Sequence, residues 1–268
     1  MDTPIANRAK TWRLVVIIVR ISIASAGFVL LRALVHQLGL DILELSPLLS
    51  SLVAATVFLL GFLLNGVLSD YKESEKLPGE LSTSLFLLAK EIKAIPVHTP
   101  GAPIKQDVES VYYLCVSIIR WIKGEINTDQ VMAVYSLTHD HSVQASSWLK
   151  DSTLKGRLMA EMGGILRAIN RIEVIRETDF ATIVYLLAYA ASGILCAGLT
   201  LIKSDSSSYY NNGFFLFCLS WILIFILHLI SDLDNPFGFS DDSSAEDVDL
   251  AILETTQSRL KVLCFDEP

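Results

Sequence analysis

Three side chains in an uncharged stretch of the sequence, Ala54, Phe58 and Phe62, recur every four residues. Asn65 and Ser69 follow about one and two turns later, so in a helix all five lie on one face. A ring of apolar side chains can gate a pore by excluding water, and the positive edges of Phe rings can face a passing anion. Helix packing or lipid contact gives the same spacing, and the periodicity alone favours that interpretation over a pore.

A second set of residues, His139, Asp140 and His141, could supply part of a metal site. Side chains two apart on a helix do not face the same way, and no other ligand lies nearby in the sequence. We therefore expect a polar surface turn here and assign these residues no functional role.

Arg20 and Arg32 lie within or beside the first apolar stretch, where an unpaired charge is costly. Both could attract anions. The more ordinary interpretations are an ion pair for Arg20 and, for Arg32, a side chain that extends to the membrane interface.

The sequence lacks the common catalytic motifs. It contains no G-x-G-x-x-G, Walker loop, H-E-x-x-H or G-x-S-x-G, so we predict no enzyme and no cofactor. Its net charge of -8 opposes nucleic-acid binding. The four cysteines have no C-x-x-C spacing, which predicts neither a disulfide framework nor a zinc site: Cys115, Cys196, Cys218 and Cys264.

The elements that carry these residues are predicted to be membrane helices. Hydrophobic residues make up 52% of the 268-residue chain and charged residues only 19%, which is too apolar for an ordinary soluble domain. About 20 apolar residues are needed to cross the hydrocarbon layer as a helix. Four stretches meet that length, namely residues 14–35, 47–68, 180–202 and 213–230.

The basic residues predict the orientation. Arg8, Lys10 and Arg13 favour a cytosolic N-terminus, and the connections 36–46 and 203–212 hold only one Lys between them. Both termini and residues 69–179, which contain 13 of the 21 basic residues, are then cytosolic in a multi-pass protein of the plasma (inner) membrane. A cleaved signal peptide is the alternative for the first stretch, but Arg20 interrupts it and apolar sequence continues past the candidate cleavage site.

Four segments follow along the chain: residues 1–68 with two membrane helices, 69–179 as a cytosolic helical segment, 180–230 with two more membrane helices, and an acidic cytosolic tail, 231–268. Within the cytosolic segments, apolar residues recur at helical spacing in residues 81–95, 108–122 and 154–175, and again in 248–263. Asn127 suits a helix start. The predicted fold class is an all-α membrane protein with about four transmembrane helices.

Two short stretches resemble the bestrophin family. Residues 60–78 read LGFLLNGVLSDYKESEKLP and resemble the second helix of bestrophins, which begins with the same Gly-Phe pair and ends near Leu-Pro. Residues 234–238, Asp-Asn-Pro-Phe-Gly, resemble the Asn-Pro-Phe-Gly segment that follows the last membrane helix in that family. The two matches occur in the family's order, and residues 90–180 show no such resemblance.

The resemblance implies a homopentamer within membrane lipid, in which the second helix of each subunit lines a central pore. Family members conduct chloride and other monovalent anions passively. Ala54, Phe58 and Phe62 then fall at the pore neck, with Asn65 and Ser69 as polar pore-lining residues. Ala54 is smaller than the family's usual bulky residue, which implies a wider neck.

Animal bestrophins place an unbroken acidic cluster after Asn-Pro-Phe-Gly, and it binds calcium. Here Phe239 and Ser240 interrupt the cluster, leaving Asn235, Asp241 and Asp242 as a weak cation site at most. Calcium prefers six to eight oxygen ligands, so a calcium gate is not favoured. The depleted site and the unmatched middle segment leave an alternative open, a membrane scaffold or interaction protein with a bestrophin-like bundle and no conduction.

Overall fold

The structure, a computed structural model, describes residues 4–44, 46–177, 182–203, 209–238 and 247–265. Within those ranges the chain is helical, apart from turns, loops and one isolated bridge between Leu43 and Ile202. The helices are α1 (Pro4–Gln37), α2 (Pro47–Ser74), α3 (Leu77–His98), α4 (Lys105–Ile122), α5 (Thr128–Ser147), α6 (Ser152–Glu177), α7 (Thr182–Thr200), α8 (Tyr209–Leu233) and α9 (Ala251–Phe265).

The chain divides into two compact units. The membrane unit comprises the described residues of 1–70 and 179–234, and the helical unit comprises those of 71–178, 235–242 and 247–268. Among the described residues, four helical segments are long and apolar enough to cross a bilayer, and they begin at Trp12, Pro47, Ile183 and Tyr210. The prediction of an all-α membrane protein with about four such helices is confirmed.

In the membrane unit, α1 packs along α8. Ile17 and Ile21 are buried against Trp221, and the Trp221 indole Nε1 donates a hydrogen bond to Ser22 Oγ at 3.2 Å. The Trp221 ring also stacks on Phe225, with ring centroids 5.2 Å apart. This contact gives the bundle a directional polar link in an otherwise apolar interface.

Arg32 has hydrogen-bond partners inside the membrane unit. Its side chain is buried, and its guanidinium donates to the carbonyl oxygens of Leu199 at 2.8 Å and Ile202 at 3.3 Å. These carbonyls lie at the C-terminal end of α7, where the helix dipole is negative and a cation is stabilised. Arg32 therefore joins α1 to the end of α7.

The helical unit has its own hydrophobic core. Helices α3, α4, α5, α6 and α9 pack together around it. Leu81, Leu114, Ile118 and Ile165 are fully buried in that core, and Trp121 is the largest side chain within it. Because each fully buried aliphatic side chain contributes about 1.5–3 kcal/mol, this core can hold the unit's helices together.

Three local sequence features of the helical unit can be compared with its structure. One has the structure that its residue type favours, and two do not. Asn127 caps α5 in a reciprocal capping box with Gln130, as predicted. Pro96 lies inside the last turn of α3, where its missing N–H removes a single helix bond. His139 and His141 lie within α5, so the expected surface turn is wrong.

Candidate pore-lining face of helix α2

The five residues of the predicted stripe lie together on one exposed face of α2. Phe58 is 77% exposed and Phe62 is 69% exposed. Ala54, Asn65 and Ser69 are exposed as well. At about 100° per residue, the five positions span an arc of about 80°. The structure thus brings every residue of the stripe to the same side of the helix.

The opposite face of α2 is buried. Leu60, Leu63 and Val67 have exposed fractions of 0%, 3% and 1%, and Thr56 is buried with its hydroxyl donating to the Leu52 carbonyl at 2.9 Å. These four positions centre roughly 170° from the centre of the exposed stripe. Helix α2 therefore presents one covered face and one uncovered face within a single subunit.

The sequence explains why α2 extends unbroken through this region. Pro47 occupies its first position, where a missing N–H costs nothing, and Ser51 returns a hydrogen bond to the Pro47 carbonyl at 2.9 Å. The first charged residue of the helix is Asp70, after the stripe ends. A Cβ added at Gly61 would meet nothing within 4 Å, so this glycine leaves open space beside the Phe rings.

The end of α2 is anchored by a charged pair. Arg171 on α6 donates from Nε to Glu73 Oε1 and from a terminal nitrogen to Oε2, both at 2.8 Å. This bidentate geometry is the strong form of a carboxylate–guanidinium contact. It fixes the rotation of the last turn of α2 relative to α6.

The candidate cation site is described only in part. Asn235 is exposed at the start of a turn in which Gly238 N–H donates to the Asn235 carbonyl at 3.1 Å, while Asp241 and Asp242 lie outside the described residues. Phe237 is buried in the core of the helical unit. A Cβ at Gly238 would approach the Asn235 backbone carbonyl oxygen to 3.2 Å, a tight contact that glycine avoids.

The contact of His141 was missed from the sequence. His141 Nδ1 lies 2.9 Å from Oδ1 of the buried Asp107, joining α5 to α4. The partner lies 34 residues away in sequence, and local spacing carries no signal for it. His139 lies near Tyr135, with ring centroids 6.4 Å apart. Among the described residues no cluster of three or more His, Cys, Asp or Glu could hold a metal ion.

Comparison with known proteins identifies structures with a similar fold. No protein-family model and no curated protein matches the chain. A bacterial bestrophin homologue from Klebsiella pneumoniae is similar in structure, with 16% sequence identity, a TM-score of 0.72, and coverage of 95% of this chain and 100% of that one. A membrane-protein structure at 15% identity matches with a TM-score of 0.75 over 94% of this chain and 100% of that one.

The chain therefore has a bestrophin-like fold, and the resemblance carried by residues 60–78 and 234–238 is confirmed. TM-scores of 0.72 and 0.75 establish the shared architecture, and identities of 16% and 15% leave the activity to be argued from the residues.

Proposed function

We propose that this protein is the subunit of a passive channel for chloride and other monovalent anions, with copies of α2 from a ring of subunits, five by resemblance, lining a central pore. One observation carries the proposal. Phe58 and Phe62 are 77% and 69% exposed on a single face that continues into Asn65 and Ser69. In a ring of subunits this face would pass from an apolar neck to polar side chains toward the end of α2.

The chemistry of the stripe suits an anion. Rings of Phe58 and Phe62 from several subunits would form an apolar neck whose ring edges carry partial positive charge. The Asn65 amide and the Ser69 hydroxyl can donate hydrogen bonds to an anion that leaves the neck. No carboxylate occurs in α2 between Pro47 and Ser69, so nothing on this face repels a negative ion.

Permeation of this kind breaks no bond and needs no cofactor. The proposed roles are therefore neck residues Ala54, Phe58 and Phe62 and polar lining residues Asn65 and Ser69. We further propose that both termini and the helical unit are cytosolic in a plasma (inner) membrane, because basic residues concentrate in residues 69–179.

Anion flux into liposomes tests the proposal. Purified wild type is compared with Phe58→Ala and Phe62→Ala, and with Phe215→Ala as the matched control, since Phe215 on α8 is 67% exposed and lies outside the stripe. We expect chloride flux in the wild type, a changed rate or ion selectivity in both α2 variants, and wild-type behaviour in the control. Absence of flux from a folded oligomer would overturn the proposal.

A non-conducting scaffold is the second candidate. It is favoured by apolar side chains left uncovered on the helical unit, where Val97, Leu137 and Val262 are 81%, 58% and 56% exposed. Exposed apolar residues on a water-facing unit commonly mark contacts with another protein chain. Such contacts are also compatible with neighbouring subunits of a channel, so flux decides between the two candidates.

A further inference from the structure

The membrane unit contains a cavity of about 360 Å³ between α1, α7 and α8. Its apolar wall includes Phe28, Leu223 and Leu227, while Ser192, Gly193 and His228 line another part. No residue of α2 lines it, so the cavity is separate from the proposed pore face. Its volume lies at the lower end of the range for small-molecule sites.

Two buried polar atoms at this cavity make no hydrogen bond within the described part of the chain. They are Oγ of Ser192, a residue only 4% exposed, and Nε2 of His228. Several buried serine and threonine hydroxyls of the membrane unit bond to their own helices, as Ser25 does to the Ile21 carbonyl at 2.9 Å and Ser220 to the Phe217 carbonyl at 3.1 Å. Buried polar groups are rarely left unsatisfied, so the exception at Ser192 indicates a missing partner.

Water alone does not suit the cavity. At roughly 30 Å³ each, about a dozen molecules would be needed to fill it, and each requires two to four polar partners. The lining is mostly apolar, with Tyr189 and Ser231 hydroxyls and the Cys196 thiol as its further polar groups. Among the described residues no Lys, Arg, Asp or Glu lines it, and an ionised ligand would therefore lack a countercharge there.

We propose that this cavity binds an uncharged, membrane-soluble amphiphile of the fatty-alcohol type. Its hydroxyl group exchanges hydrogen bonds with Ser192 and His228, since a hydroxyl both donates and accepts. Its hydrocarbon body packs against Phe28, Leu223 and Leu227. Such a ligand supplies both a partner for the two polar atoms and apolar contact for the rest of the wall.

Photolabelling tests the site. The purified oligomer in liposomes is irradiated with a long-chain alcohol carrying a diazirine, and adducts are located by mass spectrometry. We expect adducts on α7 and α8, competed by unlabelled dodecanol but not by dodecane or dodecanoate. The proposal would be overturned if no adducts formed on these helices, for example because a neighbouring subunit fills the cavity. It would also be overturned if dodecane competed as well as dodecanol.

A cavity-filling variant sharpens the test. Gly193 lines the cavity, and a Cβ added there would meet nothing within 4 Å, so Gly193→Leu should place a side chain in the cavity and occupy part of it. Gly27→Leu is the matched control, since Gly27 on α1 is equally open and does not line the cavity. We expect labelling to fall by about tenfold or more in Gly193→Leu and to persist in the control. Equal labelling of both would contradict the proposal.

Ser192→Ala separates ligand binding from a structural role. Removing an unsatisfied hydroxyl should leave Tm without ligand unchanged or raised, while the increase in Tm produced by dodecanol should shrink by about 2 °C or more. A lowered Tm with an undiminished dodecanol effect would show that the hydroxyl is structural and would overturn the proposal. Neither readout involves ion flux, so the channel proposal stands or fails separately.

Discussion

The two faces of α2 are similar in hydrophobicity, but one is buried within the subunit and the other is exposed. Leu60 and Leu63 are 0% and 3% exposed, whereas Phe58 and Phe62 on the other side are 77% and 69% exposed. Hydropathy cannot separate the two faces, because both are apolar in this part of the helix. The difference shows which residues hold a subunit together and which remain available to lipid, a neighbouring subunit or a pore.

The largest effect should follow from placing a negative charge on the uncovered face. With Phe62→Asp, a carboxylate about 5 Å from a passing anion in a medium of effective dielectric constant about 20 repels it by about 3 kcal/mol. Chloride flux in liposomes should then fall about hundredfold, and selectivity should move toward cations.

Phe62→Asn is the control for that variant, since it has a similar size and polarity but no charge. If Phe62→Asp and Phe62→Asn conduct chloride equally well, the stripe does not face the ion path and the distinction between the two faces loses its functional meaning.

Truncation on the covered face should affect stability rather than conduction. Leu60 is fully buried, and Leu60→Ala should lower the free energy of unfolding by about 2–5 kcal/mol through lost contacts and the cavity left behind. Flux per folded oligomer should stay near the wild-type value. Thermal unfolding of the purified protein measures the first effect.

Phe58→Ala provides the reciprocal comparison. Because Phe58 is mostly exposed within the subunit, its truncation should change the subunit's own stability by no more than about 0.5 kcal/mol while altering flux. A large loss of stability with unchanged flux would reverse the roles assigned to the two faces.

Calcium should have a small effect. The stripe on α2, rather than the turn at Asn235, is proposed to control permeation, and the broken acidic sequence after Gly238 supplies too few oxygen ligands for a firm site. Chelation of calcium should change chloride flux by less than about twofold. A chloride flux that requires calcium would contradict this prediction and would indicate a calcium gate at Asn235, Asp241 and Asp242.

The smallest effect concerns the native thiols of the helical unit. Burial raises the pKa of Cys115 to about 12, and burial together with the charge of Glu109 raises the pKa of Cys264 to about 11, against a smaller lowering by Lys93. Both thiols stay protonated below these values, so at pH 8 almost no reactive thiolate is present. Charged thiol reagents should leave both unmodified by mass spectrometry, with modification of Cys264 rising only as the pH approaches 11.

Local pattern was sufficient for the membrane helices and for the α2 stripe. Apolar runs of about 20 residues predict spans, four-residue spacing places Phe58 and Phe62 on one face, and Asn127 has the side chain of a helix cap. These features depend on neighbours within a few residues. The sequence alone could not show which side of α2 the subunit would cover, since apolar residues occur on both sides.

Long-range polar contacts were not predictable in the same way. The carbonyl groups that bind Arg32 belong to Leu199 and Ile202, 167 and 170 residues along the chain. Any helix end exposes such carbonyls, so the sequence gives no sign of which one receives the guanidinium. The contact between His141 and Asp107 was missed for the same reason.

Cysteine accessibility tests most directly whether the uncovered face of α2 lines a water-filled ion path. Asn65→Cys lies on the stripe and Leu63→Cys, two residues earlier, lies on the buried face. We predict that a charged, membrane-impermeant thiol reagent reduces chloride flux through liposomes containing Asn65→Cys and leaves flux through Leu63→Cys and the wild type unchanged. Flux that is insensitive in Asn65→Cys, or equally sensitive in both variants, would contradict a pore lined by this face.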